Sequence, residues 1–330
     1  MQIRIVRRVI PIEINNCKLP YDGYIAQKHN LTKMGIIVNM IPKINLKQVG
    51  TIFVKSGLPG SDWVINPYNG CLFGCMYCYA AQIARWRHPK EIWGTYLDVK
   101  INAPQLLKNE LEKLEKKLKT KNFGSVFFSS VTDPYVSLEV KYQLTRKCLK
   151  VLADFGYEGS IGIQTKSPLI IRDIDVLKKL KKSAIGFTVT TLDDKVSRFL
   201  EVMAPPVSKR IEALAKLHDA GISTYAFIGP ILPYFVNEEE KIDEILDKLQ
   251  EVGVKEVWFE HIHLNPMTKS RLYNYLKKET PELILEFEKA DTEEYRAKLE
   301  TKIKSALKGR NMKLGLGKII FHNKSPKKSN

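Results

Sequence analysis

From Trp63 onward, short apolar runs rich in β-branched and aromatic residues alternate with stretches of helical periodicity. The runs Trp63–Asn66, Ser125–Ser130, Ser160–Thr165, Ala184–Thr190, Ser223–Ile228 and Lys255–Glu260 read as strands. Helical patterns fall between them, near 79–87, 104–120, 139–154, 172–182, 207–220 and 238–251. Over 104–120, Leu107, Leu111, Leu114 and Leu118 share one stripe, with Lys and Glu opposite. Gly156, Gly221 and Gly253 stand just past helical patterns, where a left-handed residue closes a helix. The alternation predicts an α/β fold with a parallel sheet. Six βα units suit a partial (β/α)6 TIM-type barrel better than a closed eight-unit one, with a doubly wound sheet as the alternative.

The flanks read differently. Residues 1–60 mix short apolar stretches with turn residues and form an N-terminal segment of strands and loops. The barrel is expected over 61–266. Residues 267–330 make a C-terminal helical extension, with helices near 268–278, 281–289 and 292–308, a short apolar segment Leu314–Phe321 and a basic tail Asn323–Asn330 that reads as disordered. No apolar run reaches the roughly 18 residues a membrane span needs. The best, Tyr225 to Val236, is cut by Pro230 and Pro233. Met1–Ile14 carries Arg4, Arg7, Arg8 and Glu13 without an apolar h-region, so it does not read as a signal peptide. A cytoplasmic protein without membrane contact is expected.

Composition is globular, with 44% hydrophobic and 27% charged residues. Lys and Arg number 53 against 36 Asp and Glu, a formal net charge of +17. That excess has two readings: a lysine-rich solvated surface, or a nucleic acid or other polyanionic partner. There is no G-x-x-x-x-G-K-[ST] phosphate loop, and Gly315-Leu316-Gly317 lacks the third glycine of a dinucleotide fingerprint.

Three of the five cysteines lie within eight residues, in Asn66-Pro67-Tyr68-Asn69-Gly70-Cys71-Leu72-Phe73-Gly74-Cys75-Met76-Tyr77-Cys78-Tyr79. In a reducing compartment this is a ligand cluster rather than a disulfide framework. Structural zinc asks for four closed ligands, which His88 would have to complete. A 4Fe–4S cluster normally takes four cysteines, so three leave one iron open to a non-protein ligand. Cys148 shares a stripe with Leu144 and Val151 and reads as a buried thiol, and Cys17 as a surface thiol of the N-terminal segment.

The C-x3-C-x2-C spacing with an aromatic before the third cysteine resembles the radical S-adenosylmethionine (SAM) superfamily. Further blocks sharpen the resemblance to the spore photoproduct lyase-like subgroup, often labelled "DNA repair photolyase". They are Ser129-Ser130-Val131-Thr132-Asp133-Pro134-Tyr135, Gln164-Thr165-Lys166-Ser167-Pro168, Thr190-Thr191-Leu192-Asp193, Gly229-Pro230-Ile231-Leu232-Pro233 and Leu264-Asn265-Pro266. The resemblance covers roughly residues 60–290. It implies a 4Fe–4S cluster on Cys71, Cys75 and Cys78, with SAM chelated by the open iron. It also implies an external electron donor such as ferredoxin or flavodoxin, and reductive cleavage of SAM to a 5′-deoxyadenosyl radical that abstracts hydrogen. The cofactor carries that chemistry, and the protein orients it and excludes water.

The same resemblance assigns SAM contacts to Tyr77, Ser130, Thr132, Asp133, Lys166, Ser167, Thr190 and Asp193. Each has a local alternative. Asp133 before Pro134 fits a turn, Asp193 fits a helix N-cap and Tyr77 fits the core. By ungapped match, Ser130 stands where spore photoproduct lyases carry a hydrogen-returning cysteine, and a serine O–H bond is too strong for that role. His261 and His263 alternate along the sixth strand and are expected on one face. Lys178, Lys179, Lys181 and Lys182 read as a solvated helix face, or with Lys166 and Arg172 as a phosphate rim. The rivals to a radical SAM enzyme are a basic nucleic-acid-binding protein and a redox sensor, each with a non-catalytic Cys metal site.

Overall fold

The computed structural model describes residues 41–233 and 240–322. Cys17, the first forty residues of the N-terminal segment, residues 238–239 of the sixth expected helix and the basic tail Asn323–Asn330 lie outside the described residues. The described residues belong to one compact unit.

Six parallel strands carry the fold: β3 (Trp63–Ile65), β6 (Val126–Phe128), β7 (Ile161–Thr165), β8 (Ser183–Thr188), β9 (Thr224–Ile231) and β10 (Glu256–His261). They lie in the sheet order β11-β10-β9-β8-β7-β6-β3-β2. Here β11 (Lys313–Leu314) is parallel, and β2 (Phe53–Lys55) is an antiparallel edge. No pair closes the sheet among the described residues, so the architecture is the partial six-unit barrel that the βα rhythm predicts. Phe128, Ile163, Ile185, Phe187, Ala226 and Val257 are fully buried along these strands.

Helices connect the strands. They are α1 (Ala80–Ala84), α2 (Ala103–Leu118), α3 (Glu139–Tyr142), α4 (Leu144–Phe155), α5 (Ile174–Leu177), α6 (Asp194–Leu200), α7 (Val207–Asp219) and α8 (Glu240–Glu251). The C-terminal extension supplies α9 (Pro266–Glu279), α10 (Leu283–Ala290) and α11 (Glu293–Leu307). Gly156 closes α4 in the left-handed region at φ 73°, as its position predicts.

Four differences from the sequence reading have physical causes. The stretch 139–154 is two helices, because Gln143 turns left-handed at φ 52°. There the buried Glu139 carboxylate accepts from Thr145 N and Arg146 N, each at 3.1 Å, and so caps α4 in place of continued backbone bonding. The stretch 172–182 begins earlier, as a 3-10 turn over Pro168–Asp173, and α5 ends at Leu177. The α2 stripe fades, because the helix stops at the left-handed Lys119 and leaves Leu118 half exposed.

The fourth difference is a second sheet. β1 (Lys43–Lys47) pairs in parallel with β5 (Tyr96–Lys100), and β4 (Tyr68–Asn69) pairs antiparallel with β5. β5 hides from pattern reading because it buries a carboxylate. Asp98 takes the Asn45 amide at 2.8 Å and the His88 ring at 3.0 Å.

Candidate functional site

The strand ends converge. The segments following β3, β6, β7 and β8 hold every residue singled out above as a ligand. β4 hands the chain to the cysteine loop through Gly70, at φ 83°. A Cβ there would stand 2.7 Å from the Tyr96 ring, so the position takes glycine on both counts. The loop is tied down at several points. Met76 N donates to Leu200 O at 2.8 Å, Met203 N to Phe73 O at 3.0 Å, and the Thr132 hydroxyl to Gly70 O. Arg271, from α9, donates to Met76 O at 2.9 Å and Cys78 O at 2.8 Å.

Cys71 and Cys75 are buried and Cys78 is half-buried, and all three are free thiols. Burial pushes the Cys71 thiol up to about 12, with the Asp133 and Cys78 charges adding to it. Burial raises Cys75 and Cys78 as well, while the Lys166 cation pulls both the other way. The nest around the thiols is apolar, formed by Phe73, Ala80, Ala84, Trp93 and Tyr96.

The donor chemistry fits an iron–sulfur cluster. Three soft sulfurs sit on one pinned loop, and two cations, Lys166 and Arg271, offset the thiolate charge. Asn69 Nδ2 and Trp93 Nε1 are buried donors with no acceptor, and Ser129 Oγ is likewise unpartnered. Hydrogen bonds to cluster sulfurs are a recognised way to satisfy such donors. Among the described residues, no group of three His, Cys, Asp or Glu side chains is placed to hold a metal ion. His88, the fourth ligand a zinc site would need, is bound to Asp98 and stacked on Tyr96 at 4.1 Å.

Beside the loop lies a charged network that sequence reading missed. Glu201, just past α6, is fully buried and accepts from the Tyr77 hydroxyl, from Arg210 and from Ser197 Oγ at 3.0 Å. Thr190 Oγ1 approaches it at 3.5 Å. Arg210 is also fully buried and donates to Thr188 O and Pro205 O, each at 3.0 Å. Burial would raise the Glu201 carboxyl, but Arg210 and Lys166 outweigh it and hold its pKa below the ordinary range. Lys166 lies 5.6 Å from the Tyr77 ring centroid. Burial works against its charge, yet Cys75 and Glu201 keep the ammonium above its usual pKa. Tyr77, half-buried beside Glu201, stays a phenol.

The remaining residues hold the turns. Asp133 accepts from Thr165 Oγ1 at 2.6 Å, Tyr135 N at 2.8 Å and Lys166 N at 2.8 Å, joining the ends of β6 and β7. Burial nevertheless raises its pKa. Ser167 caps the 3-10 turn through Leu169 N, and Asp193 caps α6 through Lys195 N at 2.7 Å. Ser130 Oγ meets the Asn66 amide at 3.3 Å, and Tyr79 donates to Ser130 O. Ser129 is held at φ 64°, a left-handed strain rare outside glycine.

Of the two readings of the lysines after α5 the solvated one holds and the phosphate rim does not, and the two histidines do not continue one strand. Lys178, Lys179, Lys181 and Lys182 are exposed at the opposite end of the sheet, where Lys182 O accepts from Ile161 N at the start of β7. Arg172 is held by Glu139 at 3.0 Å and Asp173 at 2.7 Å. No phosphate rim joins these residues to Lys166. His261 and His263 also part ways, because β10 ends at His261. The His261 ring meets Ala290 O at 2.8 Å, whereas His263 stacks on His322 at 4.3 Å. Cys148 is fully buried, as its stripe predicts.

The model of the radical SAM superfamily matches residues 65–249. An uncharacterized protein of Methanocaldococcus jannaschii is 36% identical over 187 residues, covering 57% of this chain and 67% of its own length. A radical SAM Nα-GlyT isomerase of Pseudomonas phage M6 is 26% identical over 190 residues, covering 57% of this chain and 37% of its own. The chain spans about two thirds of the length of the first curated relatives it matches. Spore photoproduct lyase complexed with dinucleoside spore photoproduct superposes with a TM-score of 0.63 at 15% identity, covering 82% of this chain and 81% of that one.

Proposed function

The chain belongs to the radical SAM superfamily and shares the fold of spore photoproduct lyase, and from that premise we propose that Cys71, Cys75 and Cys78 hold a 4Fe–4S cluster at which SAM is reductively cleaved. The observation that carries the reading is the pinned loop of three thiols, backed by the Lys166 cation. When bound, the cluster and SAM supply a 5′-deoxyadenosyl radical that abstracts hydrogen from an unreactive C–H bond.

The chain's own residues do the positioning. Arg271 and Thr132 fix the loop backbone that carries the three cysteines, and the sulfurs would converge on the cluster when it binds. Lys166 offers an ammonium with no acceptor among the described residues, suited to the SAM carboxylate. Glu201 and Arg210 hold Tyr77, and we assign its ring to the adenine. Asp133, Ser167 and Asp193 serve by shaping the turns that carry their neighbours. Ser130 and Thr190, in the segments after β6 and β8, would contact polar groups of SAM when it binds. The barrel spans 61–266 in this reading, and the extension 267–330 contributes Arg271 to it.

The substrate we assign is nucleic acid or another polyanion. The +17 charge supports it, as does a lyase of the same fold solved with a dinucleoside. A duplex substrate would have to release its target nucleotide from the stack. Repair of the spore lesion is not part of the reading, because Ser130 cannot return a hydrogen atom.

The test is anaerobic reconstitution with iron and sulfide, then dithionite and SAM, with 5′-deoxyadenosine followed by chromatography. Formation above the Cys71→Ala/Cys75→Ala/Cys78→Ala variant is expected. A loaded cluster that yields none overturns the cleavage and leaves a redox sensor. Colourless zinc protein leaves a binding protein. For the substrate, log-affinity for oligonucleotide should fall with log salt, and a flat slope rejects phosphate contact.

A further inference from the structure

The chain leaving the cysteine loop builds a surface patch of unusual character. α1 turns Ala80, Ala81 and Ala84 inward against the nest that holds Cys71 and Cys75. Its outer side and the turn after it expose Ile83 at 50%, Trp86 at 77% and Ile92 at 46%. Interleaved with them are Arg85, Arg87 and Lys90, all exposed. None of these three cations has an acidic partner among the described residues. The nearby acids are already engaged: Glu91 with Lys43 at 2.8 Å, and Asp98 with His88 at 3.0 Å. The Arg85 guanidinium lies over the Trp86 ring at 4.5 Å. The excess charge is felt next door. Burial, with Arg87 adding to it, pushes the Lys100 ammonium down to about 8.

Grouped tryptophan and arginine with exposed aliphatics is the composition of a protein interface rather than of solvated surface. It is also close to the thiols. α1 rises about 1.5 Å per residue, so this patch begins at Ile83, about 4.5 Å along the axis from Ala80, which is two residues past Cys78.

We propose that the face formed by Ile83, Arg85, Trp86, Arg87, Lys90 and Ile92 docks an acidic one-electron carrier protein that reduces the cluster on Cys71, Cys75 and Cys78. The inference rests on the functional reading above. One electron passes from the carrier's reduced cofactor to the oxidised cluster. The carrier is oxidised by one electron and the cluster reduced by one, with no bond made or broken. Charge complementarity argues for the partner, since three unpaired cations in one patch steer an acidic protein. Nucleic acid is the poorer fit. Phosphate contacts favour hydroxyl and amide donors alongside cations, and this patch offers isoleucine instead.

The test uses the reconstituted holoenzyme and purified flavodoxin. Flavodoxin binding is measured by calorimetry at two salt concentrations. Cluster reduction is followed by loss of visible absorbance, once with reduced flavodoxin and once with dithionite. Arg85→Glu/Arg87→Glu and Trp86→Ala should each weaken flavodoxin binding and slow flavodoxin-driven reduction about tenfold or more. Reduction by dithionite should stay at the wild-type rate, and the salt dependence should shrink in the charge-reversed variant. Wild-type flavodoxin rates in both variants overturn the proposal. Wild-type flavodoxin rates with lost oligonucleotide binding also overturn it and assign the patch to nucleic acid. Variants slowed equally with dithionite overturn it as well, since the residues then support the cluster and not docking. A wild-type protein that loads no reducible cluster fails at the functional reading instead, and is recognised by its iron content and spectrum.

Discussion

The two ends of the parallel sheet use charge in opposite ways. At the carboxyl ends, Asp133, Glu201 and Arg210 are buried, and each is bound by three or more polar partners. At the amino ends, Lys178, Lys179, Lys182, Lys255 and Lys313 stand in solvent. Lys255 and Lys313 border an open cleft of about 470 Å³ with Ser223 and Thr224. A buried charge is costly and holds its place only in one geometry, whereas a solvated charge is nearly free and specifies little. The difference teaches that net charge alone does not locate the chemistry. The residues that matter are the ones the fold has desolvated.

Breaking the buried end should give the largest effect. Arg210→Met takes from the buried Glu201 its ion-pair partner, leaving two hydroxyl donors and the more distant Lys166, and a loss of about 3–5 kcal/mol in urea unfolding is expected. Tyr77 would also lose its fixed acceptor, so SAM affinity should fall with it. Unfolding within about 0.5 kcal/mol of wild type would show that Glu201 takes up a proton instead.

His261 sharpens the comparison through pH. Burial pushes its pKa down to about 4, so the folded protein binds fewer protons than the unfolded chain between pH 4 and 6.5. Its contribution is full above 6.5 and lost as pH falls through 4, by about 3 kcal/mol. His261→Gln should flatten that part of the stability profile, and an unchanged slope would assign the acid sensitivity elsewhere.

A smaller loss is expected at Asp133. In Asp133→Asn one amide hydrogen faces a backbone N–H, at Lys166 or at Tyr135, and about 1–3 kcal/mol is lost. Thermal unfolding would read it, and no change would mean that the turn closes without the carboxylate. The exposed end should respond least. Replacing Lys178, Lys179 and Lys182 with Gln should move stability by less than about 0.5 kcal/mol per site and leave SAM affinity untouched. A larger effect would place that helix end in the site after all.

The strands were legible because each is a short, strongly apolar run between turn residues, and the cysteines because their spacing has few other uses. Glu201 and Arg210 were not. Arg210 falls on the same helical stripe as Val207, Leu214 and Leu217, and a lone cation among apolar positions was the available signal for burial. Its partner lies nine residues earlier, at the end of α6, a helix the sequence reading did not place. Asp133 and Asp193 show the reverse limit. Their sequence neighbourhoods marked them correctly as special, but a turn carboxylate and a ligand carboxylate look alike until the hydrogen bonds are counted. The small β1-β5-β4 sheet was hidden because its central strand carries Asp98, whose partners Asn45 and His88 come from distant parts of the chain.

That small sheet has a consequence for where the molecule can be divided. The cysteine loop hangs from β4, β4 is held by β5, and β5 by β1, which begins at Lys43. A chain trimmed to residues 65–249 would keep every thiol and lose the outer strand of that suspension, as well as Arg271. The span that evolution marks as a module is therefore shorter than the span that must be inherited together. Grafting this chemistry onto another protein would mean carrying upstream and downstream clamps along with it.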